Sequence, residues 1–128
     1  MRLLLDTHTL LWWLTNDAQL PATARALIAN EQNAVHVSAV SAWEIATKQR
    51  IGKLAGIAPV AGWFSDLVAA DGFLHPPVSY AHALRAGAYA VAHRDPFDRM
   101  LVAQAQLESL QLLTCDAAMA AFACKTVW

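Results

Sequence analysis

Cysteine is scarce in this chain, with Cys115 and Cys124 the two present. Their spacing matches neither a disulfide framework nor a metal-binding pair, so both are expected to be small core residues. A large charge of either sign is also missing. The net charge is −1, which excludes a chain that binds nucleic acid by overall basicity and leaves charge to act locally. No window approaches the ~20 unbroken apolar residues of a membrane span. The start lacks a signal-peptide layout, because one Arg is followed by three Leu and then Asp6. A cytoplasmic protein is the simplest expectation. Linkers, repeats and low-complexity blocks are absent too, so residues 1–128 read as one domain of ordinary size.

Apolar residues are plentiful. They make up 57% of the chain, above the roughly 45–50% usual for a soluble domain. The surplus, with five Trp, predicts an apolar surface covered by a partner or a second copy. Trp12 and Trp13 are consecutive, and a helix cannot point both into its own core. One of them is expected at a groove or an interface.

Leu3-Leu4-Leu5 is a short continuous apolar run that suits a strand buried on both faces of a parallel sheet. Asp6 follows at its exit, and Thr7 or Thr9 opens a helix with Leu10, Leu11 and Leu14 inward. Pro21 suits the first position of a second helix, striped by Ala24, Leu27 and Ile28. Val35-His36-Val37 alternates like a strand. A helix from Ser38 or Ser41 to about Arg50 follows, with Ser41 and Glu44 at capping-box spacing. Another is expected over 60–70, carrying Trp63, Phe64, Leu67 and Val68. Phe73-Leu74-His75 reads as a short strand stopped by Pro76-Pro77. Ser79 caps a helix over 80–91. Asp95-Pro96 opens one over 96–107. A strand over 112–115, a short helix over 117–122 and a last strand over 126–128 complete the chain. Strands alternate with helices throughout, which predicts an α/β three-layer sandwich around a mostly parallel central sheet.

Asp6, Glu44, Asp95, Asp98 and Asp116 are half of the ten acidic residues, and each falls at a strand exit or a first helical turn. Singly, each has a structural explanation, because acids at helix N-termini are stabilised by the dipole. Together they point elsewhere. In a parallel sheet all strand exits face one edge, where open α/β folds bind ligands. Carboxylates gathered there repel one another unless a cation sits among them. Hard oxygen donors suit Mg²⁺ or Mn²⁺, which can activate a water for phosphodiester cleavage.

Leu4-Leu5-Asp6-Thr7, Ser38 with Glu44, the run from Asp98 to Ala105, and Leu113-Thr114-Cys115-Asp116 resemble the successive motifs of the PIN domain. The VapC-like branch, the toxins of bacterial toxin–antitoxin pairs, is the nearest in pattern. The run His93-Arg94-Asp95-Pro96-Phe97-Asp98-Arg99 resembles one of its sub-branches. The resemblance covers essentially the whole chain. It implies a PIN-like fold and a Mg²⁺- or Mn²⁺-dependent endoribonuclease restrained by a cognate antitoxin. It also implies a homodimer, with an antitoxin segment laid over the active-site groove. The family's four acids fall on Asp6, Glu44, Asp98 and Asp116. Asp95 is an extra acid one turn before Asp98 and a second candidate for the third metal ligand. Thr114 matches the family's hydroxyl beside the last acid, implying a hold on a metal-bound water.

Lys48, Arg50 and Lys53 follow Glu44, and Arg94 and Arg99 flank Asp98. These are candidates to hold RNA phosphates, or to be solvated surface, or to neutralise the acids. His8 reads as a structural histidine, and the other four histidines form no ligand spacing. A haloacid-dehalogenase-like phosphatase also begins with an apolar strand ending in Asp. It needs a second Asp two positions later, where this chain has His8. A PIN-fold binding module without catalysis is the alternative of a different class, and divalent-dependent cleavage separates the two.

Overall fold

A computed structural model describes residues 1–54 and 64–128. The leucine run forms β1 (Arg2–Leu5). It lies inside a sheet between β2 (Ala34–His36) and β3 (Gln111–Leu113), and β4 (Thr126–Val127) flanks β3. All three pairings are parallel, and Leu4 is in register with His36 on one side and Leu112 on the other.

Leu3, Leu4 and Leu5 are completely buried because the sheet is covered on both faces. Leu3 and Leu5 point into one cluster with Leu10, Ile28, Ile45 and Val68. These come from α1 (Thr7–Leu14), α2 (Ala22–Ala29), α3 (Ala39–Arg50) and α4 (Phe64–Ala70). Leu4 points the other way, into a cluster with Leu101, Val102, Met119 and Phe122. That layer is built by α6 (Pro96–Leu107) and a 3-10 helix (Ala117–Phe122), with α5 (Tyr80–Ala88) packed on α6. The period-2 alternation of one strand thus separates the two helical layers. This is the three-layer α/β sandwich expected from the sequence. The sheet is wholly parallel among the described residues.

Several boundaries differ from the sequence reading. α3 is capped by Ser38, whose hydroxyl accepts from the Val40 amide. Ser41 is instead buried inside that helix and shares a 2.9 Å hydrogen bond with Thr7, so Glu44 does not complete a capping box. The expected strand at Phe73–His75 is a single bridge between Leu74 and His36. α5 stops at Ala88 rather than near Val91, for a reason given below. Trp63 and the start of the helix expected over 60–70 lie outside the described residues.

The strand order carries one functional consequence. From β1 the chain crosses to β2 on one side, and β3 later arrives on the other. The connections diverge at β1, and in open parallel sheets ligands bind beyond the carboxyl ends of the strands at such a point, here those of β1 and β3. Among the described residues, no helix is long and apolar enough to cross a membrane.

Candidate active site

Asp6 directly follows the carboxyl end of β1 and is only 4% exposed. It occupies the N-cap position of α1, yet its carboxylate makes no capping hydrogen bond, and the neighbouring Thr7 amide is only the weakest of the influences on it. Capping therefore does not account for Asp6. Its Oδ2 accepts a 2.6 Å hydrogen bond from the Thr114 hydroxyl, just past the end of β3. Thr9 ties α1 to the same strand by donating to the Leu113 carbonyl at 3.0 Å. Burial raises the Asp6 pKa and the Glu44 charge adds to the rise, against the Thr114 bond and the His8 charge. His8 itself is exposed and leans on Trp12.

Glu44 is in the second turn of α3 and is 2% exposed. The Thr7–Ser41 bond pins α3 to α1, which brings Glu44 beside Asp6. Its Oε2 accepts from Lys48 Nζ at 2.5 Å. Its Oε1 is buried with no hydrogen-bond partner, and among the described residues no other side-chain atom is in that position. A buried carboxylate oxygen is costly to leave unpaired.

Asp95 and Asp98 divide their roles. Asp95 caps α6, its Oδ1 accepting from the Phe97 and Asp98 amides at 2.8 and 3.2 Å. Pro96 takes the first helical position, where a missing N–H costs nothing. Asp98 is thereby turned inward, and its Oδ2 is 2.8 Å from His93 Nε2. Its pKa is pushed up to about 6, first by burial and then by the charges of Asp95, Asp6 and Glu44, against the lowering effect of the His93 bond.

Asp6, Glu44 and Asp98 are thus close enough to feel one another across three elements. Asp116 stands apart. It is exposed, and its Oδ1 caps the 3-10 helix by accepting from the Ala118 amide at 2.9 Å. Its own amide donates to the Thr114 hydroxyl oxygen at 3.0 Å, which links it to Asp6 through one residue.

Among the described residues no three carboxylate, imidazole or thiolate groups converge tightly enough to cage an ion as they stand. Lys48 meets one oxygen of one of these acids, so the set has room for a further cation. The unpaired Glu44 oxygen and the raised pKa values of Asp6 and Asp98 all report negative charge short of a counterion. The donors are hard carboxylate oxygens, which fit Mg²⁺ or Mn²⁺ and not a thiophilic metal.

The sequence model of the PIN domain matches residues 3–124. The chain belongs to the PIN domain family. PIN domains are generally nucleases. No curated protein matches this chain by sequence. Solved structures do resemble it in shape. VapBC2 from Rickettsia felis, bound to a DNA fragment from its promoter, has a TM-score of 0.70 at 12% identity, over 99% of this chain and 98% of that one. FitAcB from Neisseria gonorrhoeae has a TM-score of 0.64 at 19% identity, over 98% and 96%. At such identities the likeness establishes the fold.

Two side chains of this PIN domain have roles that the sequence did not reveal. Arg99, a phosphate candidate, directs its guanidinium at backbone carbonyls. It donates to Ala86, Tyr89, Val91 and His93 at 2.7 to 3.0 Å, with a longer contact to Gly87. This clasp holds the segment after α5 to α6, and it explains why the helix ends at Ala88: the following carbonyls turn to Arg99. The clasp also fixes His93, the second residue missed, whose ring packs edge-on against Phe122. Only the spacing of five between His93 and Asp98, with Pro96 between them, could have hinted at their pairing.

Arg50 and Arg94 are exposed. Trp12 rests edge-on against Trp128, and Trp13 donates to Asp71 at 3.0 Å. Trp43, next to Glu44, is 57% exposed and meets Phe97 edge-on at 4.6 Å.

Proposed function

We propose that this PIN domain is a divalent-metal-dependent endoribonuclease, the toxin of a toxin–antitoxin pair. The observation that carries the reading is buried Asp6 and Glu44 with half-buried Asp98 at the sheet's carboxyl edge, and Glu44 Oε1 left without a partner among the described residues. These three would hold Mg²⁺ or Mn²⁺, with Asp116 approaching from outside and Asp95 in reserve one turn before Asp98. When bound, such an ion supplies an activated water and charge stabilisation for phosphodiester cleavage.

The chain's own residues do the positioning. Thr114 fixes one oxygen of Asp6 by its hydroxyl proton. His93 fixes one oxygen of Asp98, leaving the other for the ion. Exposed Arg50 and Arg94 would meet RNA phosphates, and such contacts would make binding salt-sensitive. Similarity in shape to VapBC2 and FitAcB supports a partner antitoxin. Of the three Trp considered for an antitoxin's aromatic or aliphatic anchor, Trp12 packs on Trp128 and Trp13 on Phe73, so exposed Trp43 beside Glu44 would take it while an antitoxin Arg or Lys enters the acids. A homodimer would cover part of the apolar surplus.

The test is cleavage of a labelled looped RNA by the purified chain with Mn²⁺, with EDTA, and in an Asp6→Asn variant. Cleavage is expected with Mn²⁺ alone and lost in the other two. Full activity of Asp6→Asn would end the metal-site assignment. Equal cleavage of the matching DNA would end the RNA assignment.

A further inference from the structure

Lys48 is a cation paired with one acid of the site, and a nuclease that recruits its own metal has no evident need of it. It lies one turn after Glu44 on α3, with Nζ 2.5 Å from Glu44 Oε2. Pairs at this spacing are commonly solvated ornaments of a helix surface. This one differs, because the Glu44 side chain is 3% exposed and that of Lys48 25%. The Lys48 ammonium also feels the charges of Asp95 and Asp98 at the start of α6. Glu44 therefore carries a cation on one oxygen while the other is buried and, among the described residues, unpaired.

We propose that Lys48 is a built-in counter-cation that competes with the divalent ion for Glu44 and is released from it when the ion binds. This rests on the metal-dependent reading above. In the metal-free protein the ammonium offsets part of the repulsion among Glu44, Asp95 and Asp98. An arriving divalent ion does the same with twice the charge, and two cations on one buried carboxylate repel each other strongly. The flexible four-carbon stem lets the ammonium swing toward solvent, where it meets the substrate's phosphate. The site would thus exchange one cation for another without ever leaving its acids bare.

The test is Mn²⁺ binding to the full chain by calorimetry, comparing wild type, Lys48→Gln and Lys48→Arg. Removing the competing charge should tighten Mn²⁺ binding about tenfold in Lys48→Gln. Lys48→Arg should stay near wild type. A second readout needs no variant. The chain has three lysines, Lys48, Lys53 and Lys125, so their side-chain ammonium signals are separable by NMR. On adding Mg²⁺ the Lys48 signal should move while that of Lys125 does not. If wild type binds Mn²⁺ and Lys48→Gln binds no tighter, the competition is refuted while the nuclease reading stands. If wild type binds no divalent ion, the metal-dependent reading itself fails and takes the proposal with it. Should Lys48→Gln not fold, an unmoved Lys48 signal at saturating Mg²⁺ refutes the proposal.

Discussion

Replacing Asp98 by Asn should make the metal-free protein more stable while removing its activity. The carboxylate's pKa is lifted from 3.8 to about 6, mainly by burial and then by Asp95, Asp6 and Glu44. A shift of that size corresponds to ~3 kcal/mol by which the folded state disfavours the ionised form. Asn keeps the shape and can still accept from His93 Nε2, but its amide must also be desolvated. The expected gain is therefore about 1–2 kcal/mol near neutral pH. The sign with pH follows from proton counting. Between 3.8 and about 6 the folded protein holds a proton on Asp98 that the unfolded chain has lost. Stability contributed by this group thus falls as pH rises through that window, and the whole penalty is present above it. Urea unfolding in EDTA should show Asp98→Asn ahead of wild type near neutral pH, with the gap closing toward pH 4. Adding Mn²⁺ should reverse the order, because the ion binds the ionised carboxylate and stabilises wild type alone. If Asp98→Asn is no more stable than wild type in EDTA near neutral pH, the site is not short of positive charge and the reasoning fails.

Asp95→Asn should leave stability nearly unchanged, since Asn caps a helix about as well as Asp. Its loss of cleavage at saturating Mn²⁺ should be smaller than that of Asp98→Asn, and the opposite ranking would give the third metal position to Asp95. Arg99→Ala should cost about 2–4 kcal/mol in urea unfolding, because hydrogen bonds to a charged donor contribute more than neutral ones and several carbonyls lose their partner together. Arg99→Lys should recover little of that, since one ammonium cannot reach carbonyls spread over residues 86–93. A cost below about 0.5 kcal/mol would mean that the clasp is incidental.

What was legible in the sequence is what local chemistry decides. Leu3-Leu4-Leu5 followed by Asp6 announces a central strand and an acid at its exit, because burial on both faces needs an uninterrupted apolar run. Asp95-Pro96 announces a helix start, because cap and first-turn rules act over a few residues. Other features depend on partners far along the chain. Ser38 and Ser41 are equally good caps by sequence. The choice between them is made by Thr7, which takes the Ser41 hydroxyl. Asp6 reads equally well as a cap or as a site acid until Thr114, 108 residues away, is seen to hold it. Arg99 reads equally as a phosphate contact, a solvated cation or a neutraliser of the acids, because nothing periodic marks the carbonyls it gathers.

That Thr114–Asp6 bond has a consequence in time as well as in space. Asp6 is made 108 residues before Thr114. β3, which must dock beside β1 to bring Thr114 to Asp6, cannot do so until the whole stretch between the two strands has been made. While that stretch is being made, the nascent chain holds an unsupported Asp6 and only part of the acid set. The strand order thus keeps the acids from assembling until β3 has been made and has docked.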